Sequence, residues 1–543
     1  MNARFPLRFA AFRAALTSAV VALAACGAGG PPALTYVSLP PDPPGSLGVN
    51  QLGASGTVGF LSGIVPKAAT AATVGLVSVD LPADSSVAAT ITINTKAGAA
   101  SSVARATNVA RRAVASNRQD RTAFGPASAV RAVAGPPPVG TQQTFFVGST
   151  ASRGGPAVSY ASYPFTLVST SAHTAVWVHD ASLATFSPAS SSFASDAEIA
   201  YASDTALIGA ATYTDAAAGR SSSVPYCDSA GNPTGSGPRF AAPFAYVNVL
   251  VIDASTIGRT AGAEFLPDDT YAQGFLNCTT GSLRRQSNEG GFVVASLAPS
   301  ANVHYEVRQV LAHQLAHLIQ FVNQAIVLGR ANAPPAAIQE GLAELARDAS
   351  LGTTDIANVA EKTAPFLRRP QDYSVLGMTG AQGYDSPGNY GAAYLLMRYI
   401  ADRHGYGFIK NDIQNDPLTG AKASFDTLAA AAGEPSFDGL FRDFAATLAA
   451  SAVGYSAPPP YAFTSFQFGR TYQNVQTNDS GAATVTVPPV GVAATATFDA
   501  NQSFAIYPGG VTLLALSNPI PAQQVYVTDT TKLLGLAGVI VSR

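Results

Sequence analysis

Charged side chains are scarce in this chain: Asp, Glu, Lys and Arg make up 12% of its 543 residues, and the net charge is −2. This share is about half the usual one. Proteins that bind nucleic acid carry clusters of Lys and Arg that neutralise phosphates. The composition therefore gives no reason to expect a nucleic-acid partner.

Long apolar runs are missing beyond the N-terminus, so the sequence predicts no membrane-spanning helix. Near the N-terminus, three arginines among the first 13 residues precede an apolar stretch over residues 14–25. Its length suits a signal peptide and is short for a membrane span. The stretch ends in Leu23-Ala24-Ala25-Cys26, which resembles the cleavage box of bacterial lipoproteins.

That resemblance implies that residues 1–26 are a lipoprotein signal peptide and that Cys26 becomes the lipid-bearing first residue of the mature protein. Gly27 at the next position favours, by the same resemblance, retention in the outer membrane of a Gram-negative cell. The protein is then expected in the cell envelope, at the outer membrane or cell surface, and contacts the membrane only through its lipid. An ordinary signal peptide with a chance cysteine is the alternative.

Cysteine is rare, with three in the whole chain. Apart from Cys26, only Cys227 and Cys278 are present, and in an oxidising compartment they have one possible pairing. We expect a disulfide that closes a loop of about 50 residues and stabilises the fold by roughly 3–4 kcal/mol in the chain-entropy model. Ligation of a metal ion by these two thiols is the alternative.

Composition and apolar periodicity divide the chain into five parts. They are the signal peptide over 1–26, a tether with short strands and a basic low-complexity linker over 27–140, a β-rich part over 141–300, a helical part over 301–455, and a small all-β domain over 456–543. The basic segment over 101–140 is typical of a solvated linker, with docking onto anionic envelope lipid or polysaccharide as the alternative. This segregation of strands and helices predicts an α+β fold.

Apolar runs with alternating or continuous patterns predict six strands. They cover residues 74–79, 88–93, 145–147, 175–179, 246–253 and 292–297. The run over 246–253 is expected to be a central buried strand. Three helices are predicted to end at a glycine, namely Gly329, Gly405 and Gly454.

Two histidines lie four residues apart in the apolar helix predicted over 303–328. Residues at this spacing face the same side of a helix, so His313 and His317 can reach one ion. A single His in such a helix is more often a core residue than a ligand, and the pair alone is a weak signal. It gains weight from an acidic pair on the next predicted helix, which Pro334-Pro335 can open.

That acidic pair is Glu340 and Glu344, which share one face of the second helix. Two carboxylates on one face repel each other unless a cation or a partner lies between them, and the apolar neighbours leave little room for a solvated acidic face. One Glu can complete a three-ligand site with His313 and His317, and the other can accept a hydrogen bond from a ligating His. The fourth position stays open for water, as in catalytic zinc sites.

The pattern His-x-x-x-His, 22 residues, Glu-Gly-Leu-Ala-Glu resembles the gluzincin peptidases, and within them the hyicolysin family of secreted bacterial peptidases. The strings over 390–405 and 437–444 resemble the same family, and the resemblance covers residues 245–455. It implies a zincin-like core that binds zinc through His313, His317 and Glu340. It also implies Glu344 as a hydrogen-bond partner behind the ligands, and a tyrosine, for which we choose Tyr390, as donor to the oxyanion.

Gln314 departs from that family at the residue that matters most for hydrolysis. The zinc peptidase motif is His-Glu-x-x-His, and its Glu is the general base. Gln has nearly the same shape and can hydrogen-bond a water molecule, but its amide cannot accept a proton from that water. Loss of a general base costs on the order of 10²–10⁴ in rate. Glu344 and Glu306 could substitute, although neither occupies the motif position.

Three functions are compatible with the sequence. The first is a zinc-binding, catalytically silenced peptidase homologue that binds a protein, peptide or glycan at the cell surface. The second is an active zinc endopeptidase that uses a relocated base such as Glu344. The third is a surface adhesin whose β domains bind and whose peptidase-like fold is only a scaffold. Metal analysis separates the third from the others, and restoring the base separates the first from the second.

We predict that the mature protein begins at Cys26 with lipid attached, and that Cys227 and Cys278 are paired. Mass spectrometry of the membrane-extracted protein should show a chain starting at residue 26 with added acyl mass and no free thiol. The control is Cys26→Ser, which removes the lipid acceptor. A mature N-terminus upstream of Cys26 would contradict the anchor, and free thiols at the other two cysteines would contradict the disulfide.

Overall fold

The computed structural model of the protein describes most of the chain after residue 134 and several strands before it. The described residues are 35–36, 48–51, 53–54, 60–64, 71–78, 89–96, 135–150, 158–214, 216–227, 232–258, 262–272, 287–299, 303–378, 386–452, 454, 460–478, 481–496, 501–516, 524–529 and 536–542. The predicted signal peptide with Cys26, the linker up to residue 134, and Cys278 lie outside them. The anchor and the disulfide therefore stay predictions.

Twenty-one strands lie in the described residues. In chain order they are β1 (Thr35–Tyr36), β2 (Gly48–Gln51), β3 (Gly53–Ala54), β4 (Phe60–Ile64), β5 (Ala72–Ser78), β6 (Ala89–Lys96), β7 (Gln142–Thr150), β8 (Val158–Thr170), β9 (Thr174–His179), β10 (Ser223–Cys227), β11 (Pro233–Pro238), β12 (Val247–Asp253), β13 (Gly262–Glu264), β14 (Gly291–Leu297), β15 (Thr471–Asn478), β16 (Gly481–Thr486), β17 (Ala494–Ala496), β18 (Asn501–Ile506), β19 (Val511–Leu516), β20 (Gln524–Asp529) and β21 (Leu536–Ser542).

Eight helices of two turns or more accompany the strands. They are α1 (Ser190–Leu207), α2 (Val303–Phe321), α3 (Ala336–Leu351), α4 (Ile356–Arg368), α5 (Pro387–His404), α6 (Phe408–Asn415), α7 (Ala421–Ala431) and α8 (Phe437–Ala452). Single α-helical turns lie at Leu183–Phe186 and Ala218–Ser221, and the described chain also contains five short 3₁₀ turns. This combination of sheets and helices confirms the predicted α+β class, and all six predicted strands are present.

A six-stranded mixed sheet, in the order β13-β14-β12-β9-β8-β7, lies against the helices. Strand β12 is parallel to β9 and β14, and β13 is antiparallel at one edge. In β12, Val249 and Val251 join the core shared with the helices, while Leu250 and Ile252 join a second cluster around Trp177. The predicted central strand is thus buried on both faces, which explains why it is apolar throughout.

The predicted glycine ends of the helices are confirmed. Helix α2 continues as a π-helical segment over Val322–Val327 before Gly329, and α5 and α8 end just before Gly405 and Gly454. All three glycines have positive φ, the conformation that ends many helices and suits a residue without a Cβ.

Helix α1 was not predicted in the β-rich part of the chain. Its sequence is rich in Ser and Ala, and the polar and apolar residues are not separated into faces, which hides the helical period. Small buried residues such as Ala197 and Ala200 let α1 pack closely against α2. The helix is therefore held by tertiary packing rather than by an amphipathic pattern.

Strands from distant parts of the sequence share two five-stranded sheets, with orders β17-β19-β5-β21-β2 and β18-β6-β20-β4-β3. The strands predicted over 74–79 and 88–93 are β5 and β6, and they pair with strands of the predicted C-terminal β domain. Val74, Leu514 and Val527 belong to the apolar core of this β unit. The boundaries at 140 and 456 stay predictions, but the two regions contribute to one β unit, on which α8 packs.

We predict that Gly341→Ala lowers the free energy of unfolding by about 1–3 kcal/mol, because it forces a methyl group into a filled interface. A Cβ at Gly341 on α3 would lie 2.6 Å from Cγ of Met397 and 2.8 Å from the carbonyl oxygen of Ala393, both on α5. Urea unfolding followed by circular dichroism measures the change. Gly407→Ala is the matched control, since no atom lies within 4 Å of its added Cβ. Equal stabilities of the two variants would contradict the close approach of α3 and α5.

Candidate metal centre

Helix α2 presents two histidines to a cleft because its other faces are held in the core. Leu311, Leu315 and Ile319 are fully buried, which fixes the rotation of the helix. His313 and His317 then lie one turn apart on the remaining face, with side chains 13% and 15% exposed. This partial exposure leaves the imidazoles accessible from the cleft.

Glu340 on α3 brings a third donor atom to the histidines. Its Oε2 lies 3.2 Å from Nε2 of His313 and 3.3 Å from Nε2 of His317, and the two Nε2 atoms are 3.1 Å apart. Donors that bind one tetrahedral ion with bonds of about 2.0–2.1 Å are about 3.3–3.4 Å apart. The three atoms therefore form a triangle of a size that could hold a metal ion.

The chemistry of these donors also fits a cation. Oε2 of Glu340 is buried and accepts no hydrogen bond, although two ring nitrogens lie close to it. Two nitrogen lone pairs and a carboxylate oxygen at these distances repel one another unless a positive charge lies between them. A metal ion contacts all three atoms at once, whereas a single proton joins only one pair.

Glu344 lies behind His313, on the side away from the donor triangle. Its Oε1 is 3.4 Å from Nδ1 of His313, and its side chain is 1% exposed. This contact favours a hydrogen on Nδ1 and leaves the lone pair of Nε2 directed toward the triangle. Glu344 thus orients His313 in the form that binds a metal.

Three further side chains hold Glu344, and sequence reasoning missed all of them. Nζ of Lys362 is 3.1 Å from Oε1, Nδ2 of Asn358 donates to Oε2 at 2.8 Å, and Nη1 of Arg347 is 3.4 Å from Oε2. Asn358 and Lys362 lie one turn apart on α4, and no spacing in the sequence links them to the histidines. They are needed because a buried carboxylate without partners strongly destabilises a fold.

These contacts shift the pKa values of the site. Burial raises the pKa of the Glu344 carboxyl, but Lys362 and Arg347 outweigh burial and hold this pKa well below its usual range. Burial likewise raises the pKa of Glu340, but the electrostatic interaction with His317 and the contact with His313 hold it below its usual range. Burial lowers the pKa of His313, yet the two carboxylates outweigh it and raise this pKa. Both carboxyl groups are therefore ionised at neutral pH.

The amide of Gln314 is fixed by the backbone of the edge strand. The N–H of Phe265, the residue after β13, donates to Oε1 of Gln314 at 2.7 Å. Because the amide oxygen accepts this hydrogen bond, the NH₂ group is the part of the amide that is left to interact with other groups. An NH₂ group donates hydrogen bonds and cannot take up a proton.

A cleft of about 1130 Å³ is lined by the donor triangle and by Gln314, Phe265, Glu344, Arg347 and Lys362. Tyr390 on α5 also lines it and is largely buried, with Nζ of Lys362 5.2 Å from the centre of its ring. The structure therefore brings together in one cleft the residues singled out from the sequence, which are His313, Gln314, His317, Glu340, Glu344 and Tyr390. The side chain of Glu306 lies outside the described residues, so its suggested role stays a prediction.

No protein-family model matches the chain, and no curated protein matches its sequence. Within the part of the chain that the structure describes, none of the helices combines the length and the apolar character needed to cross a membrane.

We predict that Glu344→Gln weakens metal binding about 10–100-fold, because it replaces the charged acceptor that orients His313 with a neutral amide. Competition with a chromogenic chelator measures the affinity of the purified protein for zinc, and circular dichroism checks that the variant is folded. Glu361→Gln, on the exposed side of α4, removes the same charge without touching the site and serves as the control. A folded Glu344→Gln variant with unchanged affinity would remove Glu344 from the metal centre.

Proposed function

We propose that the protein is a lipid-anchored component of the cell envelope whose zincin-like domain binds zinc, no longer hydrolyses peptide bonds, and acts by binding a protein or peptide at the cell surface. One observation carries the proposal. The donor triangle of His313, His317 and Glu340 is complete, while the neighbouring base position holds the amide of Gln314 fixed on Phe265.

The arrangement of elements supports a gluzincin-like core of the hyicolysin type. Helix α2 carries both histidines and α3 carries Glu340, as the resemblance implies for this class. A mixed sheet lies beside these helices, and its antiparallel edge strand β13 borders the cleft. The helices with the candidate ligands and the strands β12, β13 and β14 all lie in the region, residues 245–455, in which the sequence resembles the family.

Zinc is the metal best suited to this donor set. Two imidazoles and one carboxylate bind zinc readily and leave a fourth position open toward the cleft. When bound, zinc supplies a Lewis acid and acidifies a water molecule beside it. The side chains around the site position and support its donors. Glu344 orients His313, and Lys362 and Arg347 keep Glu344 ionised.

Loss of hydrolysis follows from the side chain at position 314. Peptide hydrolysis needs a group that takes a proton from water and passes it to the leaving amine. The amide of Gln314 cannot do this, although it preserves the shape of the site and the bond to Phe265. Tyr390 also lines the cleft, and the resemblance implies for it the role of hydrogen-bond donor to the oxyanion.

A relocated base at Glu344 has less support. The residue is fully buried, it contacts His313 from the side opposite the donor triangle, and its pKa is held well below the usual range. Both of its oxygens already accept hydrogen bonds, from Lys362 and Asn358. A carboxylate so placed supports a ligand rather than exchanging protons with a substrate.

We predict that the native protein binds about one zinc ion per chain and shows no proteolysis above background, and that Gln314→Glu gains activity of at least about 10² over the native protein. In the variant, one carboxylate oxygen can accept from Phe265 while the other acts as the base. Elemental analysis measures the zinc, and a fluorogenic casein assay measures cleavage.

The double variant Gln314→Glu/His313→Ala is the control and should lose both zinc and activity. Native activity that disappears in His313→Ala would overturn the silenced function and favour Glu344 as the base. A native protein that binds no zinc would favour the adhesin, with the peptidase-like fold as scaffold. A Gln314→Glu variant that binds zinc without cleaving would strengthen the binding function over the enzymatic one.

A further inference from the structure

Four aromatic rings pack together one helical turn beyond the donor triangle. Phe321 follows His317 by four residues on α2, so it lies on the same face, about 6 Å further along the helix axis. Its ring centre is 5.8 Å from that of Phe265, 6.0 Å from that of Phe240 and 6.3 Å from that of Tyr271. We call these four rings the aromatic wall, and all but Phe240 line the cleft.

Arg239 lies over this wall and also lines the cleft. Its guanidinium carbon is 5.2 Å from the ring centre of Phe240 and 5.7 Å from that of Tyr271, distances typical of cation–π contacts. Its backbone is held on both sides, because its N–H donates to Ser222 and its carbonyl accepts from Ala272. The side chain is half-buried, and its Nε is buried with no hydrogen-bond acceptor.

The other three cations of the cleft are already engaged. Arg347 and Lys362 contact Glu344, and Arg330 donates both of its terminal nitrogens to backbone carbonyls of α6. Among the described residues, none supplies the guanidinium of Arg239 with a carboxylate or another hydrogen-bond acceptor. Arg239 is therefore the cation of this cleft whose hydrogen-bonding capacity is unused.

We propose that Arg239 and the aromatic wall form a binding subsite for a carboxylate carried next to an aromatic or large apolar group of a peptide ligand. This subsite deepens the proposed function and rests on it, since it names the class of peptide that the cleft accepts. A planar guanidinium held against rings presents a fixed pair of N–H donors, which suits a bidentate carboxylate. The rings supply apolar surface for the neighbouring group.

The carboxylate can come from an acidic side chain or from a peptide C-terminus, and three blocked dipeptides distinguish these sources. Acetyl-Phe-Glu-amide offers a side-chain carboxylate, acetyl-Gln-Phe offers a terminal one, and acetyl-Phe-Gln-amide is the neutral reference. Binding is measured by NMR titration of the full-length protein after removal of metal with EDTA. Without metal, any preference for a carboxylate has to come from the chain itself.

We expect at least one acidic dipeptide to bind roughly tenfold or more tightly than the neutral one, as for a hydrogen-bonded charge pair. Arg239→Gln should abolish this ratio, whereas Arg330→Gln, which removes the same charge from the same cleft, should leave it unchanged. An equal loss in both variants would assign the preference to the general charge of the cleft and overturn the subsite. So would equal binding of all three peptides, or no binding of either acidic peptide at about 10 mM.

The outcome is separable from that of the proposed function. If the protein binds no zinc but the ratio depends on Arg239, the proposed zinc-site function fails and the subsite stands. If zinc binds as proposed but the metal-free protein shows no preference for a carboxylate, only the subsite fails.

Discussion

The buried carboxylate of Glu344 is the group on which the candidate metal centre depends. It belongs to α3, contacts an imidazole on α2, and is held by an amide and an ammonium group from α4. An unpaired charge at this depth is strongly destabilising, so the three helices must meet in one arrangement for the charge to be satisfied. The orientation of His313 is therefore a property of three packed helices, and the His-x-x-x-His spacing alone does not determine it.

Polar contacts continue from this carboxylate into the helical part. Arg347 also lies 3.5 Å from Asp355, and the backbone N–H of Asp355 donates to Asp348. Asp348 in turn accepts from Tyr394 and Arg398 on α5, and burial raises its pKa to about 6 in spite of the arginine. Apolar contacts tolerate many relative rotations of two helices, whereas buried hydrogen bonds with fixed partners favour one of them. The network thus holds α3, α4 and α5 in register around the cleft.

The helices that carry the candidate metal ligands could be predicted from the sequence because the relevant information is local. The spacing of His313 and His317 and the glycines that end the helices are read within a few residues. The residues that support the site could not be predicted in this way. Lys362 and Phe265 belong to other elements, and neither is part of a recognisable sequence motif. Helix α1 was not predicted for a related reason, because small buried residues do not produce an amphipathic period. The strand pairings were equally hidden, since β5 is recognisable as a strand while its partners lie far along the chain.

The shared β unit makes the two ends of the described chain depend on each other during folding. Strand β2 pairs with β21, and β5 lies between β19 and β21. Synthesis delivers β2 and β5 long before the strands that cover their edges, and unpaired edges invite association with other chains. The β unit can close only when β21 is present, so a chain truncated before β21 keeps β2 without its partner and one edge of β5 open.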